Sequence, residues 1–207
     1  MTNRAIVSLK VLVFPACLIP FGVLIYQGFT NTLGPDPVAT ITHTTGFWTL
    51  YFLLISLTIT PLRRLSGRLV WLIRFRRMLG LFAFFYGTLH LMTWVWLYSE
   101  FDVHAMLHDI AKRPFITVGM AGWTCLLLLA TTSTAWSIRK LGGKRWTALH
   151  RLAYVAAIAG VIHYWWLVKP GVHTPWKVTA ILAALLLARI AWQIKEAARK
   201  RKVAVTA

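Results

Sequence analysis

Six apolar stretches of about twenty residues, joined by short connectors, leave this chain few ways to fold. They run roughly over 9–28, 43–61, 78–98, 115–135, 149–168 and 176–196. A helix needs about 20 apolar residues to cross a hydrocarbon core roughly 30 Å thick, and only helices or closed barrels satisfy their backbone inside lipid. The pattern predicts an all-α integral membrane protein, a six-transmembrane-helix bundle forming one domain over 1–207. Composition agrees, with 58% hydrophobic and 14% charged residues. Pro15 and Pro20 predict a kink in the first span. No internal repeat, low-complexity segment or extramembrane domain stands out.

The formal charge of +18 would suit a nucleic-acid binder, because basic patches displace counterions from phosphate backbones. The placement of the charges points to membrane topology instead. Arg4 and Lys10, the six arginines of PLRRLSGRLVWLIRFRR (61–77), the group Arg139, Lys140, Lys144, Arg145 and Arg151, and six basic residues from Arg189 to Lys202 fall on one side, nineteen in all. The other side has four: Lys112, Arg113, Lys169 and Lys177. The positive-inside rule then makes both termini cytoplasmic. No small-residue cleavage site follows Arg4 and Lys10, so the first span is read as uncleaved. Segment 99–114, with Glu100, Asp102 and Asp109, predicts a short amphipathic helix on the outer surface. WVWLY (94–98) and HYWW (163–166) place amphipathic rings at the outer boundary. Cys17 and Cys125 lie in apolar runs without a CxxC pair, the setting of inert thiols.

Ionisable residues inside a span mark function by default. His90 lies roughly 18 Å along the third helix from its inner end, and His163 roughly 21 Å along the fifth. Two imidazoles at matched depth on different helices can take both axial positions of one haem iron between facing helices. Gly87 and Gly160 each precede a histidine by three residues and share its helix face. They would let a flat macrocycle approach the backbone, or serve helix packing, where small residues are common. His150 lies about 20 Å from His163 at the inner boundary, level with Arg76 and Arg77 rather than with another histidine. It reads as a second-haem ligand, a contact for electron entry, or a solvated boundary residue. His104 and His108, beside Asp109, have i, i+4 spacing that could chelate a metal, though HxxxH more often marks a solvated face. His43 and His173 read as interfacial. Gly-rich phosphate loops, HExxH and intramembrane acids are missing from the spans, apart from Glu196 at the last inner edge, which counts against a transporter.

The stretches RRMLGLFAFFYGTLH (76–90), KRPFITVG (112–119), TSTAWSIRKLGGKRWTALHRLAY (132–154) and HYWWLVK (163–169) resemble the MsrQ family, formerly YedZ. These are haem-binding membrane subunits of the periplasmic protein-methionine-sulfoxide reductase system, within the ferric-reductase-like transmembrane superfamily. The resemblance implies b-type haem, one or two per chain, together with FMN. It implies electrons arriving from quinol or a cytoplasmic flavin reductase and leaving for a periplasmic molybdopterin reductase, MsrP, in the bacterial inner membrane. By motif, His90 and His163 match the axial ligands and His150 the additional essential histidine. Haem propionates or a flavin phosphate need cations, for which Lys112 and Arg113 outside, or Arg77 and Arg151 inside, are candidates. A stand-alone metal reductase of the same superfamily and a non-redox channel are the competing expectations.

Overall fold

The structure, a computed structural model, describes residues 2–168 and 174–206, and their regular elements are all helical. In chain order they are α1 (Asn3–Phe29), α2 (Pro37–Leu65), a 3-10 segment (Gly67–Arg74), α3 (Arg76–Met92) running on as a π-helix (Thr93–Tyr98), α4 (Val103–Lys112), α5 (Pro114–Thr131), α6 (Ala135–Leu141), α7 (Gly143–Leu149), α8 (Leu152–Leu167) and α9 (Thr174–Thr206). Lys169 and His173 lie outside the described residues.

The helix starts are written locally. Asp36 caps α2 by accepting the Ala39 N–H at 2.9 Å, with Pro37 in the first turn, where its missing N–H costs nothing. Asp102 caps α4 through the His104 and Ala105 N–H groups. Pro114 opens α5. Gly142, at φ +75°, turns the chain between α6 and α7, a conformation that a side chain disfavours.

Four helices form the centre, α2 against α3 and α5 against α8, with α3 also packed on α5 and α2 on α8. Both pairs are antiparallel. Ser56 Oγ donates to the Arg76 carbonyl at one end of the first pair, while Thr42 meets His90 near the other. In the second pair Thr132 meets His150, and Phe115 meets His163. Leu53, Leu57, Phe82, Ala83, Tyr86 and Ala157 fill the core. Phe52 stacks on Tyr86 at 5.4 Å between ring centroids, a geometry that adds to plain burial.

α1 and α9 flank this centre, and their large apolar side chains face outward; Val11, Leu12, Leu187 and Ile194 are each more than 60% exposed. An apolar outer surface suits lipid and not water. Pro20 weakens the α1 ladder, and there the Tyr86 hydroxyl bridges two backbone groups. It donates to the Cys17 carbonyl at 2.8 Å and accepts the Phe21 N–H at 3.2 Å. On the other side, Trp165 Nε1 donates to Thr179 Oγ1, and the Arg189 guanidinium lies 4.5 Å from the Tyr154 ring centre.

Among the described residues, five helices are long and apolar enough to cross a membrane: Asn3–Phe29, Pro37–Leu65, Arg76–Tyr98, Pro114–Thr131 and Pro175–Arg201. The remaining expected span appears as α8, 16 residues long, or roughly 24 Å at the standard helical rise. The expected span 149–168 is therefore shortened at its N-terminal end. His150 falls in the break between α7 and α8 and does not share a helix with His163. The predicted surface helix in 99–114 is α4.

Candidate functional site: a facing histidine pair

His90 and His163 are brought together between α3 and α8. Their ring centroids are 5.9 Å apart and their planes are nearly perpendicular, at 87°. His90 Nδ1 lies 3.0 Å from the Thr42 carbonyl and His163 Nδ1 lies 2.7 Å from the Phe115 carbonyl. A carbonyl oxygen only accepts, so in both rings Nδ1 carries the proton and donates it. Both Nε2 lone pairs are thereby left for a metal, and the backbone bond fixes the tautomer as a second shell does. Metal–imidazole bonds of roughly 2 Å on each side, plus about 1 Å from nitrogen to ring centre, require about 6 Å between ring centres. The 5.9 Å between ring centres is compatible with that spacing, so His90 and His163 are the residues that would hold a metal ion between them.

Each ring also lies against a glycine on a neighbouring helix. A Cβ at Gly46 would stand 3.1 Å from His90 Nδ1 and Cε1, and one at Gly119 would stand 2.9 Å from His163 Nδ1. Sequence reasoning looked for glycines on the histidines' own helices and missed these two. Gly87 and Gly160 point elsewhere; a Cβ at Gly87 would meet Thr49 and Leu126, and one at Gly160 would meet Leu50.

One turn C-terminal to His90, on the π-helical segment, the indole Nε1 of Trp94 is a buried donor without an acceptor. Among the described residues it is the buried side-chain polar atom left unpaired. Such a group costs free energy unless something supplies an acceptor, and π-helical turns often occur at functional sites. Of the two cations expected on the outer side, Arg113 is paired with Asp109 at 3.1 Å, while Lys112 is exposed.

His150 sits in a different setting. Trp146 stacks on His150, with ring centroids 3.8 Å apart and planes at 28°, and its Nε1 donates to the Thr132 carbonyl at 2.9 Å. The Thr132 hydroxyl has one proton and directs it to the Leu128 carbonyl at 2.6 Å. It therefore accepts from His150 Nε2, at 3.3 Å, which leaves Nδ1 as the free nitrogen. The positive charge of Arg76 acts on His150 from α3, and the Arg76 guanidinium donates to Thr60 Oγ1 at 3.3 Å. Arg77 and Arg151 are exposed nearby in sequence. His104 and His108 are exposed on α4, His43 is exposed beside Phe47, and among the described residues no three His, Cys, Asp or Glu side chains gather as a metal site. Cys17 and Cys125 are free thiols on separate helices.

Residues 45–161 match the family described as the ferric reductase like transmembrane component, a stretch that contains His90 and His150 and stops two residues short of His163. Across nearly its whole length the chain is also similar to three curated proteins, each a "protein-methionine-sulfoxide reductase heme-binding subunit MsrQ". The one from Herminiimonas arsenicoxydans is 50% identical over 201 residues, covering 96% of this chain and 91% of the relative. The one from Ralstonia nicotianae is 45% identical over 204 residues, covering 97% and 93%. The one from Bordetella pertussis is 46% identical over 203 residues, covering 96% and 98%. The chain belongs to the MsrQ family. Membership in MsrQ, together with the apolar helices, makes it a multi-pass membrane protein.

Proposed function

We propose that this chain is the membrane electron-transfer subunit of a periplasmic protein-methionine-sulfoxide reductase system in the bacterial inner membrane. It takes electrons from quinol or a cytoplasmic flavin reductant. It serves a molybdopterin reductase, MsrP, that repairs oxidised periplasmic proteins. The observation that carries this reading is the His90–His163 pair: two rings 5.9 Å apart, each with Nδ1 tied to a carbonyl, which leaves Nε2 of each free to ligate an iron.

Bound b-type haem supplies one-electron chemistry, whose potential depends on axial ligands, burial and hydrogen bonds. The chain's own residues do the rest. His90 and His163 ligate, and the Thr42 and Phe115 carbonyls hold their rings. Trp94 Nε1–H is an unused donor one turn outward from His90, suited to a propionate carboxylate, with exposed Lys112 as the outer countercharge. His150, with Arg76 beside it and Arg77 and Arg151 exposed, forms a basic inner surface suited to electron entry and to the phosphate of FMN. In this reading α8 is the sixth span, both termini are cytoplasmic, and His150 lies at the inner end.

The test is an absorption spectrum of the purified full chain before and after dithionite, with haem-to-protein stoichiometry. A reduced alpha band and a shifted Soret band are expected, and their absence ends the reading. Co-purification with a molybdopterin reductase separates it from a stand-alone metal reductase.

A further inference from the structure

The two histidine settings are copies of one another. Forty-eight residues separate the acceptor carbonyl from its histidine in each, Thr42 to His90 and Phe115 to His163. The glycine under each ring stands four residues after that acceptor, Gly46 in one and Gly119 in the other. An offset of 73 residues thus carries Thr42, Gly46, Gly87 and His90 onto Phe115, Gly119, Gly160 and His163. The packing repeats as well, since α2 packs antiparallel on α3 as α5 does on α8. The correspondence is invisible to a search for similar residue strings, because the acceptors are main-chain atoms of Thr and Phe. It also fails at the inner end, where the same offset carries His150 back to Arg77.

We propose that the chain contains a duplicated two-helix clamp in which Gly46 and Gly119 are positioning residues that set the rotation of the ligand rings and hold them perpendicular. An imidazole tied at Nδ1 could still swing about that bond. The helix surface one turn further along, bare of a side chain at the glycine, is what the ring lies against. At 3.1 and 2.9 Å a methyl group there would be closer than normal contact, so the ring must turn or its hydrogen bond must lengthen. The 87° between the ring planes follows from two such clamps facing each other across the bundle. The spectroscopic consequence rests on the haem reading above, whereas the clamp itself does not.

The test uses the full chain and Gly46→Ala, Gly119→Ala and, as a control, Gly80→Ala, whose Cβ meets only Ser56 Oγ at 4.0 Å. Perpendicular axial imidazoles give a strongly anisotropic low-spin ferric EPR signal, with a largest g value well above that of parallel rings. The unsubstituted protein is expected to show it. Gly46→Ala and Gly119→Ala are each expected to lower that g value and to weaken haem retention roughly tenfold, the scale of lost second-shell support, while Gly80→Ala changes neither. A parallel-ring signal in the unsubstituted protein, or clamp variants indistinguishable from it, overturns the proposal. The unsubstituted spectrum decides ring orientation even if a variant fails to fold. The haem-free arm is ¹⁵N NMR of histidine-labelled protein. Two Nδ1–H tautomers are expected, with Gly46→Ala perturbing His90 alone and Gly119→Ala perturbing His163 alone. Unperturbed signals overturn the clamp, whereas a protein that shows these signals but takes up no haem overturns only the haem reading.

Discussion

Trp146 lies flat on His150, ring centres 3.8 Å apart, and the same indole is tied through Nε1 to the Thr132 carbonyl while His150 is tied to the Thr132 hydroxyl. The three residues form a closed bracket that joins the α5 end to the α7–α8 break. Trp146→Phe keeps a stacking ring and loses one hydrogen bond, about 1 kcal/mol. Trp146→Ala loses both and should cost about 2–3 kcal/mol. Thermal unfolding of the purified protein should rank them in that order, and equal midpoints would show that the bracket carries no stability.

The outer and inner histidines should behave differently towards haem. His90→Ala and His163→Ala each remove a proposed axial ligand together with its carbonyl tether, and most haem should be lost from either variant. His150→Ala should retain more, because the His150 Nε2 is engaged by Thr132. Haem-to-protein ratios read the difference, and equal retention in all three variants would sink the assignment.

Trp94→Phe should have effects of opposite sign with and without haem. In the haem-free protein it removes a buried unpaired donor and should be neutral or stabilising by about 1 kcal/mol. In the loaded protein it removes a hydrogen bond to a carboxylate, and haem retention should fall by roughly tenfold for 1.4 kcal/mol. Unfolding of the haem-free protein and haem transfer to apomyoglobin measure the two arms. Unchanged transfer would show that Trp94 does not contact the propionate.

Tyr86→Phe tests the attachment of α1. The hydroxyl serves both the Cys17 carbonyl and the Phe21 N–H beside Pro20, and its loss leaves two backbone groups to find new partners. A cost of about 1–2 kcal/mol is expected. Cys17 is buried and should then react faster with a membrane-permeant maleimide. An unchanged labelling rate would mean that α1 stays in place without the bridge.

Much of the helical architecture was legible because lipid demands long apolar runs, and those runs survive as α1, α2, α3, α5, α8 and α9. The matched depth of His90 and His163 was equally readable, since helical rise turns residue number into distance. What sequence could not supply was rotation about helix axes. Gly87 and Gly160 share a face with the histidines by spacing, yet their open sides meet Thr49, Leu126 and Leu50. The glycines that do touch the rings lie on other helices and answer to tertiary packing alone. Apolarity that continues from 149 to 168 places His150 on the same helix as His163. The backbone breaks at His150 and Arg151 despite that, a turn no hydropathy pattern reports. Arg76, not exposed Arg77, bears on His150 for the same reason of rotation.

The main-chain nature of the two acceptors has a consequence for how such a protein can drift. A carbonyl survives any substitution of its residue, so positions 42 and 115 can carry a hydroxyl in one copy and a phenyl ring in the other with the bond intact. The glycines have no such latitude. Mutation can therefore rewrite nearly every side chain around the paired rings while their pose persists, and a distant descendant would betray its ancestry less by similar letters than by where its glycines and histidines fall.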